Sequence, residues 1–508
     1  MRYLFGVLCV CAFGLMPLMG CSETAGTGGS GGDGGAGGEG GSGGITECQS
    51  PEDCDDDNEC TDDTCSAGVC EFVPVPDRTG PDEPGGLPGE GTTCGYYAGT
   101  CEGGSCAGTF ACTEAGIREA IAAGAGPHSF ECAGPQTVVT AAEIVIDNDV
   151  ILDGEGNLTV DGDDDHIVFV VDEGATVELV GFAVTRGRSD GGPPDYRYGG
   201  GGIFTEGTLT LTNCTVTRCT ATENVDPERV NSGGGIGNFG SLTLTNCTVS
   251  ENSADFEGGG IWSPADAEGG GALTLTNSTV SGNSAYTGGG IAGADFTIEN
   301  STVSDNVATG WGGGIVSRYS GRGTITKSTV SGNSAETGGG VNCEEAAELT
   351  IANSTISGNT GGAISNTSGT VMLRNATVSG GISSGSGGDE VSSVMATGTL
   401  IDGGCTTVVG GLVTWTSNGY NIESPGDTCG FDHGTDLVNI TEGQLELGDL
   451  ANNGGPTMTH ALGADSVAID HIPVIDCELD EDQRREPRPE TDGTMCDVGS
   501  FERQPEDL

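Results

Sequence analysis

The chain predicts an all-β solenoid, a parallel β-helix, preceded by a small disulfide-rich module and a disordered glycine-rich tether. Three observations carry that expectation. One pattern recurs, as in NCTVSENSADFEGGGI (246–261), NSTVSGNSAYTGGGI (277–291) and NSTVSDNVATGWGGGI (300–315). Within each copy, short period-2 runs of Leu, Ile, Val and Thr favour strands, yet none is long enough for a globular sheet. Composition excludes the alternatives: 95 of 508 residues are glycine, which helices tolerate poorly, and aromatics are only 5%, too few for one large globular core.

Taken in order, residues 1–20 read as an export signal. Arg2 supplies the charge, and Tyr3 to Met19 form an apolar run that is short for a membrane span. The run ends in LMGC (18–21), which resembles the bacterial lipobox. That resemblance implies cleavage before Cys21 and lipidation of its side chain. Ser22 follows, where an aspartate would resemble an inner-membrane retention signal, so an outer-membrane or cell-surface location is expected. Residues 21–46 hold the lipidated cysteine and the tether. AGTGGSGGDGGAGGEGGSGG (25–44) cannot build a core and reaches roughly 25 Å as a random coil.

Residues 47–110 carry eight cysteines and almost no apolar side chains, so they need covalent staples to fold. The chain has 21 cysteines. Without Cys9, Cys11 and Cys21 eighteen remain, an even number that favours disulfides in an exported protein. The stretch CDDDNECTDDTCSAGVC (54–70) offers Asp55, Asp57, Asp62 and Asp63 as hard oxygen ligands for calcium. It lacks the central glycine and distal glutamate of an EF-hand, and a solvated acidic loop explains it equally simply. The net charge of −59, with Lys327 the sole lysine, excludes nucleic acid as a partner and gives no attraction to anionic lipid, but it suits divalent cations.

Residues 111–400 are the predicted solenoid. Its glycine-rich corners precede Ile203, Ile236, Ile261, Ile291, Ile315, Val341 and Ile364, at spacings of 33, 25, 30, 24, 26 and 23 residues. Three short strands per turn, stacked at about 4.8 Å, put like positions on one another. Val280 and its equivalents point inward. Two residues earlier stand Cys214, Cys247, Ser278, Ser301, Ser328, Ser354 and Ala376, all small, as an inward position beside a bend requires. Cys214 and Cys247 are expected on neighbouring rungs, facing the interior. The bend residues Asn213, Asn246, Asn277, Asn300, Asn353 and Asn375 are expected to form an amide ladder, which Lys327 interrupts by pointing outward. The glycines supply positive φ at the third corner.

Residues 199–364 resemble the repeats of polymorphic outer membrane proteins and, more widely, bacterial right-handed β-helix surface proteins. CTEAGIREAI (112–121) resembles the opening motif of that group. NGGPTMTHALGADSVAID (453–470), with DQRREPRP (482–489) and CDVGSFE (496–502), resembles its choice-of-anchor C-terminal region. The resemblance implies a right-handed parallel β-helix at the cell surface. Only RQPEDL follows the terminal motif, so anchoring is expected from Cys21. Both ends need covering, because open rungs aggregate. A helix over 113–123, N-capped by Thr113 and burying Ile117 and Ile121, is the expected N-terminal cap, with Cys112 paired to Cys132. Residues 401–508, with Cys405/Cys429 and Cys477/Cys496, are the expected C-terminal cap.

For function, the sequence favours surface display, adhesion or glycan contact. A polysaccharide lyase or hydrolase, and a non-binding spacer, are the alternatives. Outward strand positions are mostly threonine (Thr210, Thr243, Thr274, Thr297), and only Glu178 and Glu299 place carboxylates on strands, far apart. The best enzyme-like cluster is TRGRSDGGPPDYRYGG (185–200), with Arg186, Arg188, Asp190, Asp195 and Arg197; a self-neutralised surface loop is the competing account. The five histidines show no metal spacing, so structural roles are expected. Phe256, Tyr286 and Trp311 occupy the turn before the glycines in three successive units. They are expected to line up along one edge, either as a platform for sugar rings or as shields for the turns.

Overall fold

In this computed structural model, the described residues are 61–66, 69–74, 99–102, 105–190, 199–222, 231–264, 270–385, 391–408, 412–490 and 493–507. The export signal, Cys21 and the tether lie outside them. In the cysteine-rich module two antiparallel hairpins are described, one pairing Cys65 with Cys70 in register and the other Cys101 with Cys106.

The rest is a parallel β-helix. One sheet stacks eleven strands, from Ile144–Ile146 through Ile203–Thr205, Ile261–Ser263 and Val341–Cys343 to Cys405–Thr407. A second runs through the Leu-Thr-Leu strands, such as Ser241–Thr245 and Ala272–Thr276. A third runs through the Thr-Val-Ser strands, such as Thr248–Ser250 and Thr279–Ser281. Three strands per turn were expected. Part of the solenoid adds a fourth, a five-stranded sheet of two-residue strands from Arg188–Ser189 to Val307–Ala308. Parallel ladders pass residue 400 and end at Ile422–Ser424.

Register fixes the core. Val216, Val249, Val280, Val303 and Val330 form one buried column, and Leu211, Leu244, Leu275, Ile298 and Ile325 another. Volume is conserved between rungs: Phe296 faces Gly323 in register, where a Cβ would lie 2.3 Å from the phenyl ring. The first glycine of each corner needs positive φ, as at Gly258 (61°). The second needs the missing side chain itself, since a Cβ on Gly259 would lie 2.3 Å from Ser284 O.

The asparagine ladder exists but not where the sequence placed it. Asn213, Asn246, Asn277, Asn300, Asn353 and Asn375 do take positive φ at the bend (43–55°), as does Lys327 (51°), and the first three are exposed. A positive φ turns their side chains away from the interior. The ladder is formed six residues later, by Asn252, Asn283, Asn306, Asn333 and Asn359. The Nδ2 of each of the first four donates to the next Oδ1 at 3.0 Å, and all five donate to a buried carbonyl of the preceding rung. A second ladder runs through the small inward position. There the backbone N–H of Cys247, Ser278, Ser301 and Ser328 donates to the hydroxyl one rung on, at 3.0–3.1 Å. These buried corners thus leave few polar groups unpaired.

Cys214 and Cys247 stack on neighbouring rungs, both buried, with Cys214 N donating to Cys247 Sγ at 3.3 Å. They are thiols, as are Cys219 and Cys343. The even cysteine count therefore does not mean full pairing, because a thiol also packs well as a small apolar group. Burial pushes Cys219 and Cys343 up to about 12.

At the N-terminal end, helix Glu114–Ala123 buries Ile117, Ala120 and Ile121 over the first rung, with Thr113 Oγ1 accepting from Gly116 N at 3.1 Å. Cys112–Cys132 ties it down. At the other end Cys405–Cys429, Phe431 and Trp415 close the core. Beyond them the C-terminal region folds back along the outside of the solenoid. It builds its own small core (Ile440, Leu445, Leu462, Ile472, Val498, Phe501) on Leu400 and Ile422, the outward residues of the last Thr-Val-Ser-type strands. Cys477–Cys496 closes this unit.

Candidate functional site

The C-terminal unit divides one face of the solenoid in two. Thr215, Thr248, Thr279, Thr302, Thr329, Thr355 and Thr377 form a single outward column in register. The first four are partly exposed and the last three are buried. Over the covered part, Gln483 Nε2 donates to Thr329 Oγ1 at 2.9 Å and Gln483 Oε1 accepts from Thr355 Oγ1 at 2.7 Å. Ser500 N donates to Thr377 Oγ1 at 3.0 Å, and His460 Nε2 meets Ser357 Oγ at 2.7 Å. Lys327 points outward, as expected, but into an ion pair with Glu481 (2.7 Å) at the edge of this unit.

The turn aromatics lie on three of the uncovered rungs. Phe256 and Tyr286 stack at 6.0 Å with ring planes 14° apart; Tyr286 and Trp311 meet edge-on at 5.6 Å and 83°. Tyr286 is 40% and Trp311 41% exposed. The three do not share one backbone position. Gly258 N and Gly288 N donate to Thr287 O and Trp311 O, so Trp311 stands in register with Thr287 and Glu257, one position past Phe256 and Tyr286. That offset accounts for the edge-on contact. On the next rung Glu336 and Thr337 occupy the turn, and there the C-terminal unit begins its cover at Thr329.

A charged cluster that sequence reasoning missed spans the outer face of the Ile-strand sheet. Arg318 pairs with Glu257 and, at 3.0 Å, with Glu344. Trp262 Nε1 (2.9 Å) and Tyr319 OH (2.7 Å) donate to Glu257 Oε2. Asn342 Nδ2 donates to Glu344 Oε2 at 2.9 Å. Burial, then the Glu257 charge, raises the Tyr319 phenol, and burial raises the Glu344 carboxyl. Glu257 is 3% exposed, with Oε1 accepting from Arg318 and Oε2 from Trp262 and Tyr319, so the cluster ties neighbouring loops to the sheet around a buried, paired carboxylate. The signal for part of it was present: Ser317 and Cys343 are in register, so the residues after them, Arg318 and Glu344, had to be neighbours.

Of the enzyme-like cluster, Arg186 is held by Asp161 (2.9 Å), Asp163 (2.9 Å) and Asp164 (3.7 Å), which ties together the turns of two successive rungs. Arg188 and Asp190 flank a buried Ser189 on the solenoid edge. Asp195 and Arg197 lie outside the described residues, as do Asp55 and Asp57. Asp62 and Asp63 sit on the hairpin strand Thr61–Ser66. Among the described residues no group of three or more His, Cys, Asp or Glu is placed to hold a metal ion. All five histidines bond to neighbouring protein atoms: His128 to Gly108 N and Gly124 O, His166 to Thr140, His433 to Thr435, His460 as above, and His471 to Thr435 O.

Residues 238–413 match a family model described as a right-handed β-helix region. The solenoid is thus a right-handed parallel β-helix, of the class that the stacked registers define. No curated protein matches the chain. Among solved structures, the crystal structure of pectate lyase Pel9A superposes with a TM-score of 0.39 at 13% identity, over 76% of this chain and 90% of that one. A likeness at that level is too loose to bring a substrate or a catalytic residue to this chain.

Proposed function

We propose that this protein is a lipid-anchored cell-surface β-helix that contacts glycans. The supporting observation is the row formed by Phe256, Tyr286 and Trp311, two of whose rings are some 40% exposed on successive rungs. Aromatic rings 5.6–6.0 Å apart along a rigid axis are close to the repeat of successive pyranose rings, whose C–H faces pack on π-systems. The lipobox-like LMGC and the glycine tether support display away from the membrane. The engaged Glu257–Arg318–Glu344 cluster favours binding over bond cleavage.

The test is a glycan array on the protein lacking residues 1–44, with and without calcium, beside the variant with all three aromatics changed to alanine. The reading expects binding that the triple variant loses while its melting temperature hardly moves. Wild-type binding by the variant overturns the platform, and a large loss of stability makes the rings shields. Depolymerisation of a bound glycan would make the protein an enzyme; no binding at all would make it a spacer.

A further inference from the structure

The two hairpins of the cysteine-rich module repeat one arrangement. We propose that Cys65 is bonded to Cys70 and Cys101 to Cys106, and that the second bond locks the strand covering the N-terminal edge of the solenoid.

The pairing follows from register. In the first hairpin Ser66 pairs with Val69, so Ala67 and Gly68 connect the strands, and the next pair out is Cys65 with Cys70. In the second, Glu102 pairs with Ser105 across Gly103 and Gly104, and the next pair out is Cys101 with Cys106. A two-residue connection makes the closing pair of a hairpin a hydrogen-bonded one. Hydrogen-bonded and non-hydrogen-bonded pairs alternate, so both cysteine pairs fall on non-hydrogen-bonded positions. Opposed Cα atoms there stand about 4.5 Å apart, within the roughly 4.4–6.8 Å that a disulfide spans.

The molecule supplies its own contrast. Cys214 and Cys247 are also register neighbours, yet they are thiols. Their ladder is parallel, so like atoms repeat at about 4.8 Å, whereas a disulfide needs Cβ atoms within roughly 3.5–4.5 Å. A non-hydrogen-bonded antiparallel pair brings opposed Cβ atoms closer than a parallel rung does.

The chemistry is exchange. A cysteine thiolate attacks a donor disulfide, and the second thiol displaces the mixed disulfide. The hairpin gains one S–S bond and loses two thiol protons, and the donor leaves as two thiols. The same class of donor serves Cys112–Cys132, Cys405–Cys429 and Cys477–Cys496. With both pairs set, Cys48, Cys54, Cys60 and Cys94 remain in the module, and they can combine in only three ways.

The second hairpin is also part of the solenoid. Strand Ser105–Ala111 pairs in parallel with Ala125–Glu131, which continues into the Leu-Thr-Leu sheet. Gly108 N donates to His128 Nδ1 at 3.1 Å, and Phe110 meets the His128 ring edge-on at 5.1 Å. Its other side is covered by Gly99–Glu102. SCAGTFA (105–111) carries no charge and no proline, the composition of an edge that recruits other chains. Gly99–Glu102 is only four residues long and ends in a carboxylate, two features that blunt an edge. A strand that short is held weakly by its hydrogen bonds alone, so the covalent link keeps the cover in place. The helix Glu114–Ala123 closes the interior of the solenoid, and this strand closes its sheet.

The test alkylates the full-length protein, denatured in detergent without reduction, and digests it with elastase, which cuts after Ala67, and with a glutamate-specific protease, which cuts after Glu102. Mass spectrometry should find the two halves of each hairpin joined until reductant is added. Alkylated Cys65, Cys70, Cys101 or Cys106, or a bond from any of them to another cysteine, overturns the pairing. For the edge, the double variant Cys101→Ser/Cys106→Ser should speed hydrogen exchange over 99–111 by about tenfold or more and self-associate in sedimentation velocity. Cys65→Ser/Cys70→Ser, on the hairpin outside the solenoid sheet, should sediment as the unaltered protein does. Unchanged exchange and sedimentation in the Cys101/Cys106 variant, or equal association of both variants, overturns the edge role.

Discussion

Gln483 joins two rungs at once: its amide nitrogen donates to Thr329 and its amide oxygen accepts from Thr355, across 154 and 128 residues of chain. The same nitrogen lies 2.9 Å from Thr457 Oγ1 and 3.0 Å from Met458 O, so one buried side chain holds both walls of the C-terminal interface. Gln483→Ala should cost about 1–3 kcal/mol, since it removes the buried hydrogen bonds to Thr329, Thr355 and Thr457, although Thr329 keeps Met458 O and Thr355 keeps Ser500 as partners. Hydrogen exchange should rise over 327–357 and 453–504 but not over 203–300. Uniform change along the solenoid, or none, counts against this description.

The interior ladder predicts a sharp contrast between two asparagines of one repeat. Asn306 donates and accepts inside the stack and is fully buried, while Asn277 only supplies a bend with φ of 50°. Asn306→Ala should lose about 1–3 kcal/mol, leaving the buried backbone N–H of Asn283 without its acceptor, while Asn333 Oδ1 keeps the backbone N–H of residue 306. Asn277→Gly should be close to neutral, because glycine adopts that angle freely. Denaturant titration of both variants checks this; equal costs would put the ladder at the bend.

The C-terminal unit should weaken as pH rises. Burial pushes Asp497 up to about 6 and Glu502 up to about 8, so the folded unit holds protons that the unfolded chain releases near 4. The stability this contributes is full below about pH 4 and is lost as pH climbs through 6 and 8. His460 works in the opposite sense, since burial lowers its pKa and its contribution is present above the ordinary 6.5 and lost below it. Glu502→Gln should flatten the decline in melting temperature between pH 5 and 8, whatever it does to the absolute value. The same slope in both proteins would remove Glu502 as its source.

The anchoring proposal has a direct check. Cys21→Ser should abolish palmitate labelling and release the protein from the membrane fraction. A serine variant that still labels and pellets rules out the lipobox.

The repeat by itself determined the parallel β-helix, its rung stacking and the inward columns, because a solenoid converts sequence period directly into spatial neighbourhood. Thr113 as N-cap and the stacking of Cys214 on Cys247 follow from the same local logic. Three things needed the tertiary structure. Which asparagine enters the interior depends on the sign of φ at each bend, and both Asn277 and Asn283 look alike in a repeat. Glu257 meets Arg318 two rungs away because both side chains are long enough to cross the intervening rung, where Ala292 stands in register between Trp262 and Val316, a reach that no period encodes. The C-terminal region folds back rather than simply capping the end because Leu400 and Ile422 face outward there and give it an apolar seat. Once it rests on them, the threonines alongside meet Gln483 and Ser500, and the rest of the column is left to solvent.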